Sequence, residues 1–162
     1  MTAVKVQLYI YDLTQGMAKV MSPMLLGKQI EGVWHTAVVV GGVEHFFGHG
    51  LQRAVPGSTP FGQPLQILDI GTTELDESTR NELLADLAGR YQPEHYNLLK
   101  HNCNTFSNEY CQLLCGNTIP LWITNQADEV LNTPMGQAFL PMLTQMEEQF
   151  ASATSTGFSG SR

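Results

Sequence analysis

Residues 33–48 read VWHTAVVVGGVEHFFG, and this stretch decides the fold class. Two runs rich in β-branched and aromatic residues flank Gly41-Gly42, the two-residue connection of a tight β-hairpin. Upstream, Val4, Val6, Leu8 and Ile10 alternate with Lys5, Gln7, Tyr9 and Tyr11, the period of a half-buried strand. Asp12 to Gly16 reads as a turn, and Met17 to Gly32 as a loop or short helix punctuated by Pro23 and Gly27. Downstream, residues 48–64 are rich in Gly and Pro, too irregular for a regular element, and predict a surface loop that could rim a functional cleft. Leu65 to Ile70 is a further strand.

The second half reads as helix. Asp76 suits an N-cap, the helix it opens runs to about Ala88, and Gly89 supplies the stop. Pro93 to Leu99 is short and irregular. Asn102 caps the next helix, in which Cys103, Phe106, Tyr110, Leu113 and Leu114 share one face before Gly116 ends it. Pro120 to Leu131 is broken and partly helical. Asn132 or Thr133 before Pro134 marks a last helix start, with an apolar stripe of Met135, Ala138, Phe139, Met142 and Met146 and a bend at Pro141. Hairpin strands followed by separate helices argue for an α+β fold, an antiparallel sheet packed against helices. One domain over 1–149 and a flexible polar tail over 150–162 complete the expected organisation.

At 162 residues and 17.9 kDa the chain can bury about 70% of its extended surface, enough for a core without metal or disulfide staples. A net charge of −7 excludes a phosphate-tracking nucleic-acid binder, which needs a basic stripe. After Lys100 the only Lys or Arg is Arg162, while five acidic residues follow, so the last third presents a negative surface suited to a basic partner or simply to solvent. No apolar run reaches the roughly 18 residues of a membrane span, and the alternating start lacks signal-peptide character, so no stable membrane insertion is expected. Three cysteines, an odd number, fit reduced thiols in cytosol or nucleus.

Cys103 stands out because of its position. A thiol in the first turn of a helix feels the positive end of the backbone dipole and its unpaired amides, both of which favour the nucleophilic thiolate. The alternative is a small buried hydrophobe. A thiolate nucleophile needs an imidazole partner, and five histidines compete. His101 lies on the wrong side of the cap, His45 and His49 fall in or after the second hairpin strand, and His95 sits in a polar segment. His35 lies in an otherwise apolar strand, where it is either a core histidine with a polar partner or the base. Trp34, on the opposite strand face, reads as core. Cys111 and Cys115, four apart, resemble a metal pair but have no second pair at ligand spacing, so helix packing is expected and no metal or other cofactor is implied.

The stretches LYIYDL, LGKQIEGVWHTAVVV, EHFFGHG, PGSTPFG, YNLLKHNCNTFSNEY, IPLWI and EVLNTPMGQ resemble the PPPDE, or desumoylating isopeptidase, family of permuted papain-fold cysteine peptidases. The resemblance keeps the family order from about Tyr9 to Gln137. It implies a circularly permuted papain-like fold, with the histidine before the cysteine and the nucleophile at a helix N-terminus. Carried over position by position, His35 of GVWHT is the base and Cys103 of HNCNTF the nucleophile of a Cys-His dyad. The implied activity is hydrolysis of the isopeptide bond between a ubiquitin-like modifier, SUMO foremost, and a target lysine. The implied partners are SUMO- or ubiquitin-conjugated proteins, and the implied assembly is a homodimer with its cleft at the subunit contact. After EHFFG the chain departs from the family pattern, with His49, Leu51, Gln52 and Arg53 filling the loop, so substrate preference transfers less directly than chemistry.

Three alternatives stay open at this point: a deubiquitinase, a protein S-acyl (palmitoyl) thioesterase, and a non-catalytic adaptor or transport factor using the acidic surface and the Met-rich helix. The oxyanion donor expected first is the Cys103 amide. Asn102, Asn104 or Gln29 could add a side-chain donor, local capping being the expected role of Asn104.

Overall fold

The computed structural model describes residues 2–131 and, beyond them, residues 133, 134, 136–138, 140–142, 144, 145 and 149. Five strands form one antiparallel sheet in the order β4-β3-β2-β1-β5: β1 (Val4–Asp12), β2 (Trp34–Val40), β3 (Val43–Gly48), β4 (Gly50–Ala54) and β5 (Gln66–Thr73). The hairpin is present as expected. Val40 pairs with Val43, and Gly41 and Gly42 both take positive φ, +60° and +76°, so the turn follows the right-handed twist of its strands.

Among the described residues, the helices that accompany the sheet include α1 (Met17–Leu26), α2 (Glu77–Ala88), α3 (Cys103–Cys115) and the single turn α4 (Leu121–Thr124). Asp76 caps α2 by accepting from the Thr79 amide. Asn102 caps α3 from both sides: its side chain accepts from the Asn104 and Thr105 amides, and Thr105 Oγ1 in turn accepts from the Asn102 amide. Gly116 closes α3 at φ +79°.

Both sheet faces are covered, which is why residues 34–40 read as a nearly continuous apolar run. On one face Val6, Leu8, Ile10, Val38, Val40 and Phe47 pack against Phe106, Tyr110, Cys111 and Leu114 of α3 and Leu87 of α2. The other face carries Tyr11, Ala37 and Phe46, covered by Leu13, Val33, Phe61 and Leu98.

Three expectations need correction. The 48–64 segment is not wholly irregular: Gly50–Ala54 pairs with β3 through Gly48↔Gly50 to Glu44↔Ala54, a connection so tight that no apolar alternation announces it. Leu113 does not share the buried face of α3 and is exposed, while Cys111 takes the core position beside Tyr110. Pro23 does not interrupt the Met17–Gly32 segment; it sits inside α1, which stops at Gly27 in the left-handed conformation. For the last helix, the Gln137 amide bonds the Thr133 carbonyl as a start there requires, but Met135, Phe139 and Met146 of the stripe, and the 150–162 tail, lie outside the described residues.

His45 couples the sheet to pH. It faces Tyr110 edge-on, and burial, with Arg53 and Arg80 nearby, pushes it down to about 4 from an ordinary 6.5. The folded form therefore binds this proton more weakly than the unfolded chain. Its contribution is complete above about pH 6.5 and is lost as pH falls toward 4, on the order of 3 kcal/mol in all. Urea unfolding at pH 7 and pH 4.5 should show a larger loss in wild type than in His45→Gln; equal losses would contradict this assignment.

Candidate active site

His35 sits near the start of β2, directly opposite Tyr11 in the β1–β2 register. Its flanks are held by side chains from three separate segments. Asp12 Oδ1 accepts from the Val33 amide at 3.0 Å while the same carboxylate closes the turn through Thr14 and Gly16. Gln126 accepts from the Trp34 amide at 2.9 Å and donates to the Gly32 carbonyl at 2.7 Å. Asn104 of α3 donates to the Trp34 carbonyl at 3.1 Å and accepts from the Thr36 hydroxyl at 2.7 Å.

The last pair brings the tip of α3 to β2 on both sides of His35. Cys103, the first residue of that helix, lies with its Sγ 3.6 Å from Asn104 Oδ1, the atom that also holds Thr36. The sulfur is thus two hydrogen-bond lengths from the residue that follows the histidine. Both side chains are enclosed: His35 is 0% and Cys103 1% exposed.

Among the described residues, three aromatic rings pack around the imidazole. Phe61 stacks on it nearly parallel, with centroids 3.8 Å apart and planes at 18°; Phe46 meets it edge-on at 5.4 Å; and Tyr11 lies at 5.7 Å. Phe61 comes from the Gly/Pro loop between β4 and β5, so that loop does border the site. A cleft of about 600 Å³ opens beside Phe61, with Asp12, Lys19 and Glu31 among its other walls. Phe61 thus lies between this cleft and the imidazole.

The other histidines have different employments. His45 is buried on the α3 side and held neutral, His101 stacks on Tyr91 at 4.5 Å with Nδ1 3.0 Å from the His95 carbonyl, and His49 and His95 are exposed. Burial pushes the Cys111 thiol up to about 12, with Cys115 adding to the shift, and Cys115 Sγ contacts the Cys111 carbonyl, so these two pack the helix. Among the described residues no three His, Cys, Asp or Glu are grouped to hold a metal ion. Trp34 is half-buried and meets Trp122 edge-on at 5.6 Å.

The expected capping role of Asn104 is wrong: Asn102 and Thr105 form the cap, which leaves the Asn104 side chain to cross to β2. Both asparagines aim their side-chain amides at carbonyls, Asn102 at Leu98 and Asn104 at Trp34, and Gln29 is exposed on the surface. Sequence reasoning missed Gln126, whose segment carries no periodicity; it missed Glu44 too, which alternation alone leaves on an undefined face.

The model of the PPPDE peptidase domain matches residues 4–144. Desumoylating isopeptidase 1 of Homo sapiens is 47% identical over 154 residues, covering 94% of this chain and 92% of the relative, and the Rattus norvegicus protein of the same name matches equally. Desumoylating isopeptidase 1 of Xenopus laevis is 44% identical over 146 residues, 89% of this chain and 86% of the relative.

The Asn104 tie is testable by stability. Asn104→Ala leaves the Trp34 carbonyl and Thr36 hydroxyl without this partner and should cost about 1–3 kcal/mol in denaturant unfolding. A loss below about 0.3 kcal/mol, smaller than the range for one typical hydrogen bond, would mean that the two bonds do not hold the tip.

Proposed function

The chain belongs to the PPPDE peptidase family, and from that premise we propose that it is a cysteine isopeptidase releasing SUMO from target lysines, with Cys103 as nucleophile and His35 as its acid and base. The observation that carries the reading is the Asn104 bridge, which fastens the helix tip bearing Cys103 to the strand residues on either side of His35, in a chain 47% identical to desumoylating isopeptidase 1. The histidine precedes the cysteine, one on the sheet and the other at a helix start. That order supports the permuted papain-like plan.

Cys103 Sγ attacks the isopeptide carbonyl and the carbonyl oxygen takes the negative charge. The first amides of a helix lie outside its internal ladder, and the Cys103 amide is the oxyanion donor at hand. The imidazolium of His35 gives its proton to the departing lysine amine, the C–N bond breaks and a thioester remains. His35 then takes a proton from water as it attacks the thioester, and Cys103 is released with the modifier's carboxylate. The family resemblance implies a homodimer with the cleft at its contact, and three free cysteines fit action in cytosol and nucleus.

The test uses three probes on the full chain: a SUMO–lysine conjugate, a ubiquitin–lysine conjugate and an S-acyl thioester. The SUMO conjugate should be cleaved fastest. Cys103→Ser and His35→Ala should each lower turnover by about 10³-fold or more while thermal unfolding stays close to wild type. Near-wild-type cleavage by both variants would dismiss the pair; preference for either other probe would reassign the substrate.

A further inference from the structure

One buried carboxylate that the reaction does not use bonds to two of the segments around His35. Glu44 of β3 is 0% exposed, and both of its oxygens are acceptors: Oε2 from the Tyr11 hydroxyl at 2.6 Å and Oε1 from the Gly57 amide at 2.9 Å. Tyr11 is the cross-strand partner of His35. Gly57 turns at φ +78° in the loop that, four residues later, lays Phe61 on the imidazole. One carboxylate thus joins a wall contributed by β1 to a wall contributed by the loop. Enclosing a carboxylate is costly unless it is well bonded, and here the compensation consists of these two contacts.

The torsion that sets an imidazole's plane is broad, so its orientation depends on what packs against its faces. Small errors in such orientation have large effects on rate, because proton transfer and attack require near-attack geometry. We propose that Glu44 is a positioning residue for His35: through Tyr11 on one side and the Gly57–Phe61 loop on the other, it fixes the aromatic slot that orients the imidazole toward Cys103. The inference deepens the reading of the dyad above and rests on it. Glu44 acts only through these walls.

The experiment compares full-length wild type, His35→Ala, Glu44→Ala, Glu44→Gln and Tyr11→Phe in two assays. One is steady-state cleavage of the SUMO–lysine conjugate, separating kcat from KM. The other needs no substrate: the rate at which iodoacetamide alkylates Cys103 at neutral pH, read by peptide mass spectrometry. Glu44→Ala should lower kcat by about tenfold to a hundredfold with KM within about threefold, and should slow alkylation in step. Glu44→Gln can accept from Gly57 and donate to the Tyr11 oxygen, and should keep at least about a third of kcat. Tyr11→Phe keeps the ring but removes its bond to Glu44; a fall of about threefold to tenfold in kcat is expected, and this variant carries the test if Glu44→Ala does not fold.

A folded Glu44→Ala or Tyr11→Phe with wild-type kcat would overturn the proposal, as would a Glu44→Gln as impaired as Glu44→Ala. Failure of the underlying dyad is recognised separately: wild type would then show neither cleavage nor His35-dependent alkylation, whereas an active wild type with an unaffected Glu44→Ala sinks only the positioning role.

Discussion

The hydrogen bonds of Asn104 to the Trp34 carbonyl and the Thr36 hydroxyl are the constraint on which the site depends. The body of α3 packs through Phe106, Tyr110 and Leu114 on one sheet face, whereas His35 alternates with Thr36 and shares the face of Ala37, Tyr11 and Phe46. Apolar packing can slide by fractions of an ångström without much loss, because it has no direction. Two directed bonds cannot, and they fix the helix tip along β2 on both sides of the histidine. Gln126 and Asp12 fix the two residues before it in the same way, so the strand around His35 is pinned by side chains rather than by its ladder alone.

The rest of the chain keeps competing chemistry out. Burial leaves Cys111 a thiol at neutral pH and His45 an imidazole without charge. Cys103 and His35 are enclosed as well, but the cover over the histidine is a loop that contains Gly57 and Gly62 at positive φ and carries Phe61. That loop shields the imidazole from water and also stands between it and the neighbouring cleft.

Much of the architecture is legible in the residues. Gly41-Gly42 between β-branched runs allows little but a hairpin, and Asn102 before an apolar 3.6-residue period locates the helix start within a residue. Those two local rules by themselves put Cys103 at a helix tip and His35 in a strand. What periodicity misses is relational. The five-residue β4 is set by pairing across a one-residue connection, and Leu113 falls outside the core because the covered face of α3 is centred on Cys111. Asn104 reads as a cap because asparagine beside a helix start usually is one. Its actual partners are about seventy residues away in sequence, and no local rule reaches them. Glu44 escapes for the same reason: a carboxylate in a strand reads as solvent-facing unless both sheet faces are covered.

Iodoacetamide labelling of Cys103 at pH 6, compared between wild type and His35→Ala, reads out whether sulfur and imidazole act as one chemical unit. An ordinary thiol is nearly inert there, since only its small thiolate fraction reacts. Wild-type Cys103 should be labelled at least about ten times faster than Cys103 in His35→Ala. Equal rates in the two proteins would contradict it.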